Sequence, residues 1–288
     1  RLARAPWWAV ALAAGLAAVA AYAAVTPEAR LTLAVLRRGL RVTVVVTLVS
    51  FALALAIGVV AGLGRVSRRR WVREVATLYV EVVRGIPMLV VLLWFGFGLA
   101  PWLVTGVRDA VLAWAGPAAT DPAAARSALG GLKAALAEAV APCRRPSNCL
   151  SMEMRGILGL AFGYGAYVAE IVRAGVQAVG RGQTEAAQSL GLTRRQALRL
   201  VVGPQALQLA LPPLGNDFIA LLKDSSLISV LAVADLVYVA SQHVSNTLRT
   251  LQVYSLMAAV YLVLTLVLSL GVRWVEGRAA WTRTVRGL

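Results

Sequence analysis

The chain has 288 residues, of which 59% are hydrophobic and 15% are charged, and its mean hydropathy is +0.74. Soluble domains are less apolar, so this composition excludes an ordinary soluble protein and indicates a membrane protein. The net charge of +16 comes almost wholly from arginines that flank apolar segments, which favours membrane anchoring over nucleic-acid binding.

Apolar segments recur along the whole chain, and their lengths predict membrane-spanning helices. A helix of about 20 apolar residues crosses the hydrocarbon core of a bilayer. Uncharged runs cover residues 7–25, 42–64, 85–107 and 250–272, and less apolar segments cover residues 156–179, 200–216 and 225–243. The 85–107 span is expected to enter the membrane earlier, near Val75, and the 225–243 segment to be short or re-entrant. The pattern predicts an all-α integral membrane protein with about six transmembrane helices.

Residues 1–30 are predicted to form an N-terminal transmembrane anchor. Arg1 and Arg4 precede the first apolar run, and Ala21-Tyr22-Ala23 ends it, so a cleaved secretory signal is the alternative. The run has 19 residues, which is long for the core of a signal peptide. An uncleaved anchor is therefore the preferred interpretation.

Arginine clusters indicate which loops face the cytoplasm. They lie at residues 65–73, 181–199 and 273–286, the last partly within a predicted cytoplasmic tail, 276–288. By the positive-inside rule these regions are cytoplasmic, and six spans with both termini inside satisfy the rule. Four other arginines then lie outside, before the second span, and are expected to form an amphipathic interfacial segment: Arg30, Arg37, Arg38 and Arg41.

Residues 100–155 are predicted to form an external loop insertion, because they are rich in Ala, Pro and Gly and carry scattered charges. One or two short helices are expected around residues 123–140. Both cysteines, Cys143 and Cys149, fall here, and on the oxidising side of a membrane they are candidates for a disulfide. Two free thiols are the alternative, whereas a metal site is not expected because the only histidine, His243, is distant in sequence.

Residues 180–205 form a polar segment between apolar ones, and their pattern predicts a cytoplasmic two-helix elbow. Glu185 is expected in the first turn of a short helix, where the helix dipole favours a carboxylate. Gly191 suits the left-handed residue that ends a helix. Thr193 and Gln196 have the spacing of a capping box that starts a second helix, which Pro204 punctuates. The alternatives are an ordinary surface loop and a DNA-binding helix-turn-helix, which would rarely be tethered by spans at both ends.

Several polar or helix-breaking residues lie in or beside apolar segments. Ionisable groups there are costly and face a cavity or each other. They are therefore candidates for a substrate pathway or gate, and the alternative is internal ion pairing that fixes helix packing. Pro212, Pro213 and Gly215 are expected to break the helix beside three of them and expose backbone groups to a solute. The candidates are Glu81, Arg84, Pro87, Glu170, Arg173, Asn216, Asp217, Lys223 and Asp224.

Five strings, in order along residues 38–275, resemble the permeases of ATP-binding cassette (ABC) importers, and most closely those for polar amino acids such as histidine, glutamine, glutamate, arginine and opines. They are Tyr79-Val80-Glu81-Val82-Val83-Arg84-Gly85-Ile86-Pro87, residues 164–175, Gly182-Gln183-Thr184-Glu185-Ala186-Ala187, residues 211–218 and Leu222-Lys223-Asp224-Ser225-Ser226-Leu227. The chain departs from the group at Thr184, where the group has Trp, and at Gly203, where it has Leu.

The resemblance implies a five-helix permease core within residues 31–275, preceded by the extra N-terminal span. It also implies that the elbow is the coupling loop, which docks into a groove of a separate ATPase subunit. The implied ATPase-coupling residues are Gln183, Glu185, Ala186, Ala187, Gly191, Arg194, Arg195 and Pro204. The implied partners are two ATPase subunits, a second permease copy or homologue, an external solute-binding protein and the lipid of a bacterial inner membrane, with an amino acid as the solute.

No catalytic, cofactor-binding or metal-binding residue is expected in this chain. It contains no Gly-rich phosphate loop with Lys, no Gly-x-Ser-x-Gly and no His-Glu-x-x-His, so ATP and Mg are expected on the partner ATPase. An ion-coupled secondary transporter, driven through Glu170 or Asp217, is the alternative function, although no internal repeat supports it. A membrane scaffold without transport is a third interpretation, which the intramembrane charges disfavour.

Overall fold

Helices make up nearly all of the chain that the structure, a computed structural model, describes: residues 7–116, 128–144 and 149–285. This confirms the all-α prediction. The helices are α1 (Trp7–Val25), α2 (Pro27–Arg65), α3 (Arg70–Arg84), α4 (Met88–Ala115), α5 (Ala128–Val140), α6 (Met152–Ala178), α7 (Arg181–Ser189), α8 (Arg194–Ala197), α9 (Gly203–Asp224), α10 (Leu236–Thr247) and α11 (Thr250–Val285).

Within the described ranges, four helices are long and apolar enough to cross a membrane: α2, α4, α6 and the 250–278 part of α11. A fifth candidate is the bent pair formed by residues 194–231 and α10, which meet at 52°. The apolar α1 is shorter over the residues whose side chains are described. With α1 included, the fold is consistent with about six spans.

The centre of the fold is the contact between α2 and α6, which is the most extensive between any two described helices. Glycines make this contact close. A side chain at Gly62 would come within 2.6 Å of the Ala169 carbonyl oxygen, and Gly58 lies against the Val168 side chain. Leu160, Ala166 and Val168 of α6 are fully buried. Small residues of this kind allow membrane helices to pack backbone to backbone.

The helix α2 includes the arginines that were expected to form an amphipathic interfacial segment. It spans 39 residues without a break, from Pro27 to Arg65, so at about 1.5 Å per residue it is about 58 Å long. That length is nearly twice the roughly 30 Å of a bilayer core. The arginines therefore belong to the same helix as the second span, and their location at the membrane interface stays a prediction.

The third predicted span is divided differently from the expectation. Helix α3 ends at Arg84, and α4 begins at Met88 after the Gly85-Ile86-Pro87 break. Pro87 has no amide hydrogen and stands at the N-cap of α4, where none is required. Entry of one continuous span near Val75 is therefore wrong.

At its other end, α4 continues to Ala115, well beyond residue 100, where the external loop was expected to start. It includes a π-helical stretch, Trp94–Leu99. The Gly96 carbonyl in this stretch accepts a hydrogen bond (3.3 Å) from the guanidinium of Arg155, which is almost fully buried. A π-helical turn leaves some carbonyl groups outside the regular helical hydrogen-bond pattern. Here one of them, at Gly96, binds the buried Arg155 guanidinium.

Pro212 and Pro213 do not break their helix, contrary to the expectation. Helix α9 runs from Gly203 to Asp224 with both prolines inside it. It is held between α6 and α11, and Gly215 lies directly against the Val272 side chain. Neighbouring helices stabilise a membrane helix that has lost backbone hydrogen bonds to proline. The break lies later, at residues 232–235, between a 3₁₀ turn and α10.

Asp235 organises this break. Its carboxylate caps α10 by accepting a hydrogen bond from the Tyr238 amide (2.8 Å), and Thr43 of α2 accepts one from the Leu236 amide (3.0 Å). Gly39 lies so close to the Asp235 carbonyl that a side chain there would collide with it. The irregular 225–235 segment is therefore fixed against α2, as a short or re-entrant piece requires.

The two ends of the chain differ in part from the predicted boundaries. The last helix does not end near residue 272 but continues to Val285, so most of the predicted tail is helical. The predicted helices around residues 123–140 correspond to α5, which begins at Ala128, while residues 123–127 lie outside the described part. Residues 1–6 and 286–288 also lie outside it.

Candidate functional site

The elbow at residues 180–205 is a compact two-helix projection between α6 and α9. Its first helix, α7, is followed by Gly191, whose φ of +84° lies in the left-handed region that L side chains rarely adopt. The Gly191 amide bonds to the Gln188 carbonyl (2.9 Å) and the Leu192 amide to the Ala187 carbonyl (3.1 Å). This pair of bonds closes the end of α7 and turns the chain sharply towards α8.

The second half of the elbow begins with the predicted capping box. The Thr193 side chain accepts from the Gln196 amide, and the Gln196 side chain accepts from the Thr193 amide at 2.9 Å. Ala187 and Ala197 are buried between the two helices. A hydrogen bond between Gln205 and Gln183 (3.4 Å) links α9 to α7. The elbow is thus fastened at its cap, in its small core and at its base.

Most candidate coupling residues lie on the outer surface of the elbow: Gln183, Glu185, Ala186, Gly191, Arg194, Arg195 and Pro204 are exposed. Ala187 instead supports the elbow from inside. The placement of Glu185 in the first turn of α7 was wrong, because the helix begins at Arg181 with Gly180 as its N-cap and has no acidic residue in that turn. Leu190, which is not among the coupling residues implied by the sequence, is 84% exposed at the tip of the elbow.

An arginine–glutamate network, formed by Arg65, Glu81, Glu170 and Arg173, joins three helices where α2 ends. Arg65 donates hydrogen bonds to Glu170 of α6 (2.6 Å) and to Glu81 of α3 (2.8 Å). Arg173 donates to both carboxylate oxygens of Glu170. Only 11% of the Arg65 side chain and 25% of the Glu170 side chain are exposed. Glu81 therefore pairs with Arg65 and not with Arg84 of its own helix.

Arg84 lies instead with a tyrosine–aspartate group, formed by Tyr164, Tyr167, Asp217 and Asp224. Its guanidinium is 5.5 Å from the centre of the Tyr167 ring, a cation–π distance. The Tyr164 hydroxyl donates to Asp224 at 2.8 Å. Asp217 and Asp224 lie seven residues apart on α9 and so share a face of that helix. The Tyr164 and Tyr167 rings, whose centres are 5.7 Å apart, connect this face to the exposed Arg84.

Asp217 is the most unusual residue of this group. Its Oδ2 atom is buried and has no hydrogen-bond partner within the described part of the chain. A buried acceptor without a partner costs about 1–3 kcal/mol, so it is rarely retained without a use. An ammonium group of a solute would satisfy it. Phe218, the next residue, stacks on Phe51 of α2 with ring centres 4.6 Å apart.

No described contact links the other three pathway candidates to the arginine–glutamate network or to the tyrosine–aspartate group. Pro87 is exposed at the start of α4, and Asn216 and Lys223 are exposed on α9. The structure thus divides the candidates between the network at the end of α2 and the tyrosine–aspartate group, and leaves these three at the surface. Arg65, Tyr164 and Tyr167 were not among the candidate residues.

Cys143 and Cys149 are joined by a disulfide in the structure, with Cα atoms 5.2 Å apart. Both cysteines lie between α5 and α6 in the chain. The Lys133 ammonium of α5 lies 4.9 Å from the centre of the Trp114 ring of α4.

Comparison with known proteins places this architecture in a family. Residues 54–281 match the family model described as the binding-protein-dependent transport system inner membrane component. The chain belongs to this family. It is therefore a permease, an integral inner-membrane subunit of an ABC transporter, as the five strings predicted.

Individual relatives agree with this assignment. The permease is 33% identical to the probable glutamine ABC transporter permease protein GlnM of Bacillus subtilis, over 82% of this chain and 89% of that protein. It is 30% identical to the glutamine transport system permease protein GlnP of Escherichia coli, over 83% and 90% respectively. A solved structure, described as an amino acid ABC transporter with histidines, matches with a TM-score of 0.65 and 32% identity, over 85% of this chain and 94% of that one.

The family assignment does not favour the ion-coupled alternative. The arginine–glutamate network also argues against ion coupling through Glu170, because two arginines already bind its carboxylate. A carboxylate in that position is a poor carrier of a driving ion. Asp217 is not held in this way, because no described residue forms an ion pair with it.

Proposed function

We propose that this permease imports a polar or charged L-amino acid by alternating access, driven by a separate ABC ATPase that binds the elbow. The observation that carries the proposal is the elbow itself. It is closed by internal hydrogen bonds, exposed and continuous with α6 and α9, so a movement imposed on it reaches the helices that hold the tyrosine–aspartate group. The named amino-acid relatives support the choice of solute class.

The proposed assembly has two permeases, two ATPase subunits and an external solute-binding protein. The permease itself uses no cofactor, and ATP and Mg are held by the ATPase. Closure of the ATPase dimer moves the two elbows together, and the spans open outward to receive the solute. Hydrolysis of ATP resets them.

The proposed orientation places the elbow and both termini in the cytoplasm. The disulfide-bearing insertion then lies outside, where an oxidising environment favours a disulfide. The proposed organisation is an anchor at residues 1–30, a transmembrane domain at 31–275 with the insertion within 100–155 and the coupling loop at 180–205, and a tail at 276–288.

The proposed solute site lies between Arg84 and Asp217. The guanidinium would take the α-carboxylate of the solute and the unpartnered Asp217 oxygen its α-ammonium, while Tyr167 lines the site. A pair of opposite charges is what a zwitterion requires. The arginine–glutamate network would hold α2, α3 and α6 together on the elbow side of the site.

Affinity purification of the full chain from its native membrane, followed by mass spectrometry, tests the proposed assembly. An ABC ATPase is expected in the purified material, and charge reversal at Glu185 is expected to weaken its recovery. A matched reversal at Glu276, on the last helix and outside the elbow, should leave it unchanged. Recovery of the chain alone from both samples would contradict the proposal.

A further inference from the structure

A cavity of about 1200 Å³ lies beside the elbow and has no part in the solute site described above. Its walls come from the segment after α2, the end of α6 and both halves of the elbow. Five arginines line it: Arg68, Arg69, Arg181, Arg194 and Arg195. Among the residues that the structure describes, no acidic one lines it.

The five arginines have no internal counter-charge. None of them forms an ion pair in the part of the chain that the structure describes. Like charges gathered around one space repel each other, so an anion bound there would stabilise the site. Guanidinium groups match phosphate oxygens in geometry as well as charge. Hydroxyls of Ser67 and Thr184 also line the cavity and offer further donors.

The remaining walls of the cavity are apolar, with Leu63, Val66, Val176, Val179 and Val202 among them. Two membrane-spanning helices end here, α2 at Arg65 and α6 at Ala178. The cavity therefore lies where a membrane boundary is expected, with arginines and hydrocarbon walls in one space. Its volume exceeds the roughly 300–1000 Å³ of most small-molecule sites, so it can hold a head group with part of its acyl chains.

We propose that this arginine-lined cavity binds a phosphate-bearing anion, and that the head group of an anionic phospholipid is its source. Such a lipid would bridge the α2–α3 segment and the elbow, and so would fix the elbow relative to the end of α2. The site is separate from the solute site and requires no ATPase. Its test therefore does not depend on the proposed transport function.

Native mass spectrometry of the purified full chain measures this binding directly. The probes are dioleoyl phosphatidylglycerol and dioleoyl phosphatidylcholine, which share acyl chains and differ in head-group charge. The test variant is Arg68→Gln with Arg69→Gln and Arg181→Gln, which leaves the candidate coupling arginines in place. The matched control is Arg70→Gln with Arg73→Gln and Arg199→Gln, which removes as many charges from neighbouring residues that do not line the cavity.

The wild-type chain is expected to retain phosphatidylglycerol in preference to phosphatidylcholine. The test variant should weaken this binding about tenfold or more, because an arginine that lies beside an anionic head group contributes on the order of 1 kcal/mol to its affinity and only the test arginines line the cavity. The control should keep the wild-type affinity. Replacing the same three arginines by lysine should restore most of the binding, which separates a charge effect from misfolding.

Glycerol 3-phosphate added as a soluble competitor distinguishes the two sources of phosphate. Displacement of the lipid at millimolar concentration would assign the site to a free phosphate compound and keep the anion proposal. An equal loss of binding in the test and control variants would overturn it, since general surface charge would then explain the effect. Unchanged lipid binding together with lost recovery of a partner ATPase would also overturn it, in favour of an acidic protein segment.

Discussion

Gly191 shows how a single backbone angle shapes the surface that we propose to bind the ATPase. Its φ of +84° turns the chain between α7 and α8, and nothing lies within 4 Å of the position that a side chain would take. The constraint at this residue is therefore conformational and not spatial. An L side chain in that region costs roughly 1–2 kcal/mol, which is enough to shift the angle between the two short helices.

Replacing Gly191 by leucine is expected to uncouple ATP hydrolysis from transport, because the turn must change to relieve its strain. Gly182→Leu is the matched control: Gly182 is in the same elbow, also has nothing within 4 Å and has an ordinary φ. Uptake per ATP hydrolysed should fall at least about tenfold in the first variant only. Gly191→Asn should retain coupling, because asparagine tolerates the left-handed region. Equal uptake by the two leucine variants would remove the turn from the account.

Replacing Asp217 by asparagine is expected to lower kcat/KM for uptake about tenfold or more, since the group left open for a solute ammonium loses its charge. Assembly and expression should change little, because Asp217 holds no described partner with that oxygen. Asp109→Asn is the control, as this exposed residue pairs only with its neighbour Arg108. A fall in expression with unchanged kcat/KM would instead assign Asp217 to packing.

Local residues of the elbow could be predicted from the sequence, while the charged network could not. Thr193, Gln196 and Gly191 act through bonds to residues three or four positions away, so their spacing in the sequence carries the information. Arg65 acts on Glu170, which lies 105 positions later. The sequence placed Arg65 in a loop cluster that sets topology, and only the packing of α2 on α6 shows that its guanidinium is buried. Glu185 was misplaced by one turn because the start of α7 has no side-chain cap.

At the scale of helices, the packing of α2 on α6 connects the elbow to the rest of the spans. The glycines of α2 bring its backbone against α6, and the arginine–glutamate network closes the same interface at its end. The glycine contacts and the network both involve residues of α6 that precede the elbow. Movement of the elbow is therefore expected to move α2 and α6 together and not to separate them.

Gly62→Leu is expected to destabilise the permease by about 1–3 kcal/mol, because the added side chain meets the Ala169 backbone, which cannot move aside. Gly271→Leu adds the same side chain on α11 at a position with nothing within 4 Å. Thermal unfolding in detergent should show a lower midpoint for the first variant and an unchanged one for the second. Equal midpoints would show that α2 and α6 do not pack closely at Gly62.

Glu170→Gln is expected to weaken the network, because Arg65 and Arg173 then share no anion between α2 and α6. Both side chains of the Arg65–Glu170 pair are partly exposed, so the loss should be about 1–3 kcal/mol and below that of a fully buried pair. The measurement is again the unfolding midpoint, with Glu74→Gln as a control from an exposed pair. An unchanged midpoint in Glu170→Gln would mean that the network does not stabilise the fold.

The helix boundaries show a second limit on prediction from sequence. Apolar run lengths located α2, α6 and α11 correctly, because bilayer thickness sets the length of apolar sequence. They did not show that α2 continues through Arg41, that α3 ends before Pro87 or that α9 tolerates Pro212 and Pro213. Each of these outcomes depends on packing against neighbouring helices or on where helix-breaking residues stand. Mean hydropathy reports neither of these.

At the level of the whole molecule, the elbow and the proposed solute site are connected through the same helices. The elbow adjoins α6 and α9, and these helices carry Tyr164, Tyr167, Asp217 and Asp224 of the proposed solute site. The arginine-lined cavity lies where the same elbow meets the end of α2. A separate ATPase that moves the elbow can therefore change access to the proposed solute site. The arginine-lined cavity is a second site, at which the position of the elbow can be regulated.

ATP-dependent uptake by the reconstituted transporter is the most direct test of the proposal that a separate ATPase drives this permease. The full chain, with the ATPase and the binding protein that purify with it, is placed in liposomes, and uptake of radiolabelled glutamine and arginine is measured. The account predicts uptake that requires ATP and the ATPase and that is lost in Gly191→Leu. Uptake by the permease alone, driven by an ion gradient without ATP, would contradict it.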